Sequence, residues 1–151
     1  LTVGMMHVPN GSINVVPGRC DFSLDLRAPT DAARDSLVTD VLAELARIAA
    51  ARGVTYTLDE TVRASAAPSN NRLQTQWQTA VAATGLPVYT LPSGAGHDAM
   101  KLHEAMPQAM LFVRGQNSGI SHNPLEATTN DDIQLAYEAM MGVLAQLATE
   151  Q

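Results

Sequence analysis

Cysteine is nearly absent from this sequence. Cys20 stands alone, so no internal disulfide can form, and the usage fits a reducing compartment. It lies in a strand-like segment, where burial is expected rather than reactivity. Basic residues are also few. Nine Lys and Arg face fifteen Asp and Glu, for a net charge of −6. The nine are scattered and form no stripe, which excludes the clustered cations that nucleic acid demands. No apolar run nears the length of a membrane span. The opening residues lack the basic-then-apolar pattern of a leader, and the expected location is cytoplasmic. Aromatics make up only 4%, so Ala, Leu, Val and Met must fill the core. With 46% apolar residues a core can form. The 151 residues suffice for one ordinary domain or two small ones. There are no internal repeats and no low-complexity tracts.

What is present reads as alternating elements. Residues 2–8 suggest a strand already under way at Leu1, which points to a piece of a longer protein. Asn10-Gly11 is turn chemistry, and residues 13–16 continue extended until Pro17-Gly18. Over 19–27, Cys20, Phe22, Leu24 and Leu26 face one way and Asp21, Ser23, Asp25 and Arg27 the other. That alternation predicts a half-buried antiparallel strand. Thr30 is placed to cap a helix whose apolar stripe runs from Leu37 to Ala49, and Gly53 to stop it. Residues 54–58 alternate as a third strand, so the first part is β-β-α-β. The small polar run 64–70 is the expected crossing between two parts, 1–64 and 65–151. Helical spacing resumes over 73–83 and ends at Gly85. Residues 87–91 and 109–113 read as short buried strands, with a helix over 97–105 between them. That order predicts a parallel βαβ unit. A final helix over 130–148 is expected to bury Ile133, Leu135, Tyr137, Met140, Met141, Leu144 and Leu147.

Two polar clusters flank the last predicted strand: Ser93-Gly94-Ala95-Gly96-His97-Asp98 and Ser118-Gly119-Ile120-Ser121-His122-Asn123-Pro124. Both histidines fall on loops at one end of the predicted sheet, where α/β folds bind ligands. Gly94 and Gly96 allow close backbone approach, and His97 can donate to a bound oxygen or stabilise an oxyanion. The alternative is a Gly-rich turn in which His97 only caps a helix. His122, on a loop stiffened by Pro124, suits a metal position, or it merely closes a turn. One histidine does not make a metal site, and His7 and His103 lie elsewhere. Arg27 offers a planar fork matched to a carboxylate, and an antiparallel pairing brings Asn14 toward it. The plainer reading is a surface arginine.

Asn14-Val15-Val16-Pro17-Gly18, Asp25-Leu26-Arg27 and the two histidine clusters resemble, in that order, the C-terminal part of the M20-type amidohydrolases that cleave ureido compounds. These are the N-carbamoyl-L-amino-acid hydrolases, β-ureidopropionases and allantoate amidohydrolases. The resemblance covers nearly the whole chain. It implies an α/β fold: part of a parallel-sheet metallohydrolase domain over 65–151 and part of an inserted α+β lid, which dimerises, over 1–64. By the same resemblance His122 matches the last metal ligand. His97 matches a histidine that contacts substrate and polarises the scissile carbonyl, with Gly96 lending a backbone contact. Asn14 and Arg27 match lid residues that hold the substrate carboxylate in the partner subunit's site. The implied cofactor is a pair of divalent metal ions, zinc or manganese. The implied partners are a ureido acid and a second copy of the protein.

The family's other metal ligands and its catalytic glutamate, the general base for a metal-bridged water, belong to a half with no counterpart here. The expectation is therefore that these residues alone neither hold a di-metal centre nor turn over substrate. Two other readings stand beside this one. An M20 aminoacylase or peptidase would use the same metal histidine, although Arg27, Asn14 and the Gly-Ala-Gly-His-Asp loop favour the ureido branch. A non-catalytic dimerisation module would use the β-β-α-β segment alone.

Overall fold

The computed structural model describes residues 1–150, which fall into two compact units. One comprises 1–66 together with 92–95, and the other 67–91 together with the described residues from 96 onward. The first unit is built on one long helix. Its strand pair is short: β1, Met6–His7, runs antiparallel to β2, Asp21–Phe22. Met6 lies opposite Phe22 and His7 opposite Asp21, and a further bridge joins Thr2 to Asp25. Residues 13–16 therefore belong to the connection between the strands, where Val15 N–H reaches Ser12 O at 3.4 Å. The expected extension through Asn14 is a turn instead.

Local signals place α1, Asp31–Arg52. Thr30 sits in extended backbone and its hydroxyl accepts the Ala33 N–H at 3.2 Å, which satisfies one of the orphan donors of the first turn. Gly53 ends the helix at φ 64°, and its N–H turns back onto carbonyls of the last turn. Only glycine enters that left-handed region without crowding a Cβ. Arg34 ties the start of α1 to the segment after residue 58. It pairs with Asp31 and Asp35 and donates to Ala64 O at 2.5 Å, while Asp31 accepts the Ala66 N–H at 2.8 Å. That backbone N–H, with Arg34 second, holds the Asp31 carboxyl below its ordinary range. An open groove of about 360 Å³ runs along α1 past Val41, Leu45 and Ile48, with Leu1 and Leu24 on its wall.

The second unit is organised by two helices, α2, Asn71–Ala83, and α4, Asn130–Ala148. Asn70 and Thr129 cap them through side-chain oxygens. Where they meet, Ala80, Ala139 and Val143 are 4%, 2% and 5% exposed, and among the described residues they form the whole buried apolar core. Small residues permit the contact. A Cβ built on Gly142 would lie 3.2 Å from the Ala80 Cβ. Trp77, Val81, Leu111 and Leu147 pack around this centre. Gln108, also buried, donates to Ala67 O and Pro68 O, and its carbonyl accepts the Asn70 N–H at 2.8 Å. A short α3, Asp98–Leu102, lies between them in the chain.

Several expectations are corrected. Residues 54–58, 87–91 and 109–113 are in no strand, so neither the third strand nor the parallel βαβ unit forms among the described residues. A strand is defined by a neighbour, and none of these segments finds one within the chain. Cys20 is exposed rather than packed. On α4 the expected stripe is not the buried one: Ile133, Tyr137, Met140, Met141 and Leu144 are all exposed. The helix is apolar on most sides, and α2 covers only the Ala139–Val143 side. Among the described residues no helix is long and apolar enough to cross a membrane.

Two outcomes follow from this packing. Ala80→Leu overfills the α2–α4 contact and is expected to cost about 1–3 kcal/mol of stability, read as a lower urea midpoint. The Asp31 carboxyl is depressed, so its contribution is present above the ordinary value of 3.8 and is lost as pH falls through its folded value. Urea titrations of the wild type and Asp31→Asn should differ most at neutral pH and converge below 3.8.

Candidate functional site

Arg27 follows the strand pair and is already well held. Its Nε donates to both carboxylate oxygens of Asp25, at 3.0 and 2.9 Å, and its Nη2 to Asp25 Oδ2 at 2.6 Å. Its Nη1 donates to Gly94 O at 2.7 Å. Their i, i+2 spacing puts Asp25 and Arg27 on one side of an extended chain. Arg27 hydrogen bonding holds the Asp25 carboxyl below its usual range. These bonds orient the guanidinium plane but do not exhaust it. Each terminal nitrogen keeps a further N–H, and the side chain is 60% exposed. Such a fork can take a carboxylate end-on. Asn14 is exposed on the inter-strand turn, where its Oδ1 accepts from Ser12 Oγ at 2.9 Å. The register pairs 21–25 with 2–7, so strand pairing does not bring Asn14 to Arg27.

The Gly-Ala-Gly-His-Asp run is divided: 92–95 belong to the first unit and Gly96 onward to the second. Ser93 Oγ bridges the N–H and C=O of Ala95. His97 is the residue before α3. Its backbone is extended at φ −136° and its C=O accepts the Met100 N–H at 2.9 Å. Its side chain makes no capping bond, so the helix-cap reading does not account for the imidazole. Gly96 has room for a side chain, with Met100 Sδ at 3.6 Å from a built Cβ.

His122 sits on a cross-linked loop, residues 114–128. Cross-links close its neck. Gln116 N–H donates to Ala127 O at 2.8 Å, Thr128 Oγ1 to Arg114 O at 2.7 Å, and Asn117 Nδ2 to Leu125 O at 2.7 Å. Arg114 also pairs with Asp132 of α4 at 2.6 Å, which anchors the loop to that helix. Inside the neck Asn117, Ser118 and Gly119 run consecutively at φ 51°, 62° and 71°, and His122 follows at 55°. Left-handed backbone costs a non-glycine residue roughly 1–2 kcal/mol, and such strain gathers at functional sites. His122 N–H donates to Glu126 Oε2 at 3.0 Å. The loop thus presents an exposed imidazole on a backbone held against its preference.

Among the described residues no group of three or more His, Cys, Asp or Glu side chains converges as a metal site requires. Those residues do not by themselves fit a di-metal centre.

The profile of peptidase family M20/M25/M40 matches residues 1–146. The chain belongs to that family. It is 35% identical over 147 residues to the N-carbamoyl-L-amino acid amidohydrolase of Geobacillus stearothermophilus, covering 97% of this chain and 36% of that protein. It is 30% identical over 148 residues to the allantoate amidohydrolase of Bacillus subtilis, covering 98% and 36%. The chain thus spans little more than a third of these relatives. Among solved structures it superposes on a hydantoinase/carbamoylase family amidase from Burkholderia multivorans with a TM-score of 0.89. The identity there is 34%, covering 94% of this chain and 34% of that one. A second such amidase, from Burkholderia ambifaria, gives 0.82 at 32% identity, covering 95% and 34%.

Two residues of this M20 chain escaped the sequence reading. By alternation Asp25 only shares the polar side of its segment, yet it is the side chain that fixes Arg27. The Asp-x-Arg spacing was the available signal. Asn117 carries the loop's neck bond, and Asn117-Ser118-Gly119 is the composition left-handed turns favour. Ser118→Gly should relieve strain and raise the stability of the loop-bearing unit by about 1 kcal/mol, and Ser118→Val should lower it by at least as much. Chemical denaturation of both variants checks the sign.

Proposed function

We propose that this chain is the part of an amidohydrolase that supplies a carboxylate anchor, Arg27, and two histidines, His97 and His122. The proposed reaction is hydrolysis of the ureido C–N bond of an N-carbamoyl-L-amino acid or a related ureido acid such as allantoate. The observation that carries this reading is similarity to two relatives named for those substrates, over nearly all of this chain. Arg27 supports it physically. A guanidinium braced by Asp25 and Gly94 O, with N–H groups still open, suits a substrate that carries a carboxylate.

In this reading Arg27 holds the carboxylate, and Gly96 and His97 meet the scissile carbonyl. An imidazole N–H directed at that oxygen gains strength as negative charge builds there in the transition state. His122 contributes one ligand toward a pair of divalent ions, zinc or manganese in this proposal. Bound, such ions would polarise the carbonyl and acidify water. M20-family peptidases are in general metal-dependent, but the remaining ligands would have to come from outside these residues. A working assembly is proposed to be a homodimer. A peptidase or aminoacylase reading is favoured only by the family's own description.

Kinetics on the complete hydrolase test the assignment. Arg27→Ala is expected to raise KM for carboxylate-bearing ureido substrates by about ten- to a hundredfold, the worth of a charged hydrogen bond, with a smaller change in kcat. His97→Ala is expected to act mainly on kcat. Equal loss in both parameters for Arg27→Ala, or full activity in His97→Ala, would remove these roles.

A further inference from the structure

We propose, on the reading of Arg27 as the carboxylate anchor, that Asp25 is a positioning residue for the bound carboxylate. It acts through the Arg27 guanidinium and does not touch the ligand.

The backbone shows why Arg27 needs such help. Asp25 is the last residue of its segment that the ribbon holds. Its N–H donates to Thr2 O and its C=O accepts the Thr2 N–H, both at 2.9 Å. Beyond it, neither Leu26 nor Arg27 takes part in a backbone–backbone hydrogen bond among the described residues. The Arg27 main chain is therefore not what aims its side chain. A chain of contacts does so instead, from Thr2 to the Asp25 backbone, and from the Asp25 carboxylate to the guanidinium.

The guanidinium itself is held on two sides. Both Asp25 oxygens lie on its Nε–Nη2 side, at 2.6 to 3.0 Å, and Gly94 O takes an N–H of Nη1 at 2.7 Å. Contacts at different nitrogens fix the direction of the plane as well as its tilt, and still leave a further N–H on Nη1 and on Nη2. Exposed ion pairs add little stability, so the worth of this one lies in the orientation that bidentate geometry imposes.

Asp25 acts on a bound carboxylate in two opposing ways, and their sizes decide the sign. Its charge repels the ligand. Across an exposed guanidinium at physiological salt, that weakens binding by less than about twofold. Its brace removes rotamer freedom that the ligand would otherwise have to remove. The full freedom of an arginine side chain corresponds to about thirtyfold in affinity. The side chains of Asp25 and Arg27 are 47% and 60% exposed, so only part of that freedom is gone, and the net gain is about three- to tenfold. Ordering thus outweighs repulsion, and loss of the Asp25 charge weakens binding where simple electrostatics would strengthen it.

Kinetics on the complete hydrolase and side-chain exchange in this chain test the role together. With an N-carbamoyl-L-amino acid as substrate, Asp25→Asn is expected to raise KM about three- to tenfold and to leave kcat within about twofold. On an Arg27→Lys background no planar fork remains to be braced, and the same change should move KM by less than about twofold. By NMR, the Arg27 Nε–H should exchange with water at least about tenfold faster in Asp25→Asn than in the wild type, while the amides of α1 keep their protection. A KM that Asp25→Asn lowers or leaves unchanged, beside a raised KM in Arg27→Ala, would overturn the proposal. So would equal losses in KM and kcat, or an unchanged Nε–H exchange rate. An unmoved KM in Arg27→Ala would instead remove the anchor reading, and this role with it.

Discussion

The close approach of α2 and α4 is the contact on which the second unit depends. Ala80, Ala139, Gly142 and Val143 are small enough for the two helix backbones to meet, and the only buried apolar side chains among the described residues lie there. A larger residue at any of these positions would hold the helices apart and open that packing. The segment that bears His122 inherits its position from this pair. The loop of residues 114–128 is pinned to α4 through Arg114 and Asp132, and Leu111, just before it, packs on the same centre.

A strained loop needs such a foundation. Three consecutive left-handed residues and a fourth at His122 would relax if their ends were free. The neck bonds prevent it, because unwinding the turn at Asn117 would break the Asn117 to Leu125 bond and loosen the Gln116 to Ala127 pairing beside it. The strain is thus held by hydrogen bonds whose partners lie across the neck. The same bonds fix where the backbone of His122 lies relative to α4.

What could be read from the sequence divides along a physical line. The limits of α1 and α4 were legible because their determinants are local, whereas the helix expected over 97–105 is only Asp98–Leu102. Thr30, Gly53 and the caps of α2 and α4 act on backbone groups within a turn or two, so the expected span of 130–148 is the observed α4. Strands were not, because a strand exists only when a distant segment supplies its hydrogen bonds. Residues 87–91 carry strand composition and no ladder. The burial of Tyr137 and Met140 failed in the same way, since periodicity marks an apolar face without saying whether anything covers it. At the candidate site the residue types of His97, His122 and Arg27 stood out. The braces did not, since Asp25 reads as surface charge until its fork-to-fork geometry is seen.

Arg27 shows how the two kinds of information combine. A free arginine on a two-stranded ribbon would sample many rotamers, and ordering it on a ligand would cost about 2 kcal/mol of side-chain entropy. Asp25 and the Gly94 carbonyl order it beforehand. The ionised Asp25 is favoured by the same contact, since hydrogen bonding from Arg27 lowers its carboxyl below the ordinary range. Gly94 thus serves the first unit by accepting from Arg27 through its carbonyl. A backbone change that moved this carbonyl would therefore release one arm of the guanidinium and restore part of that rotamer freedom.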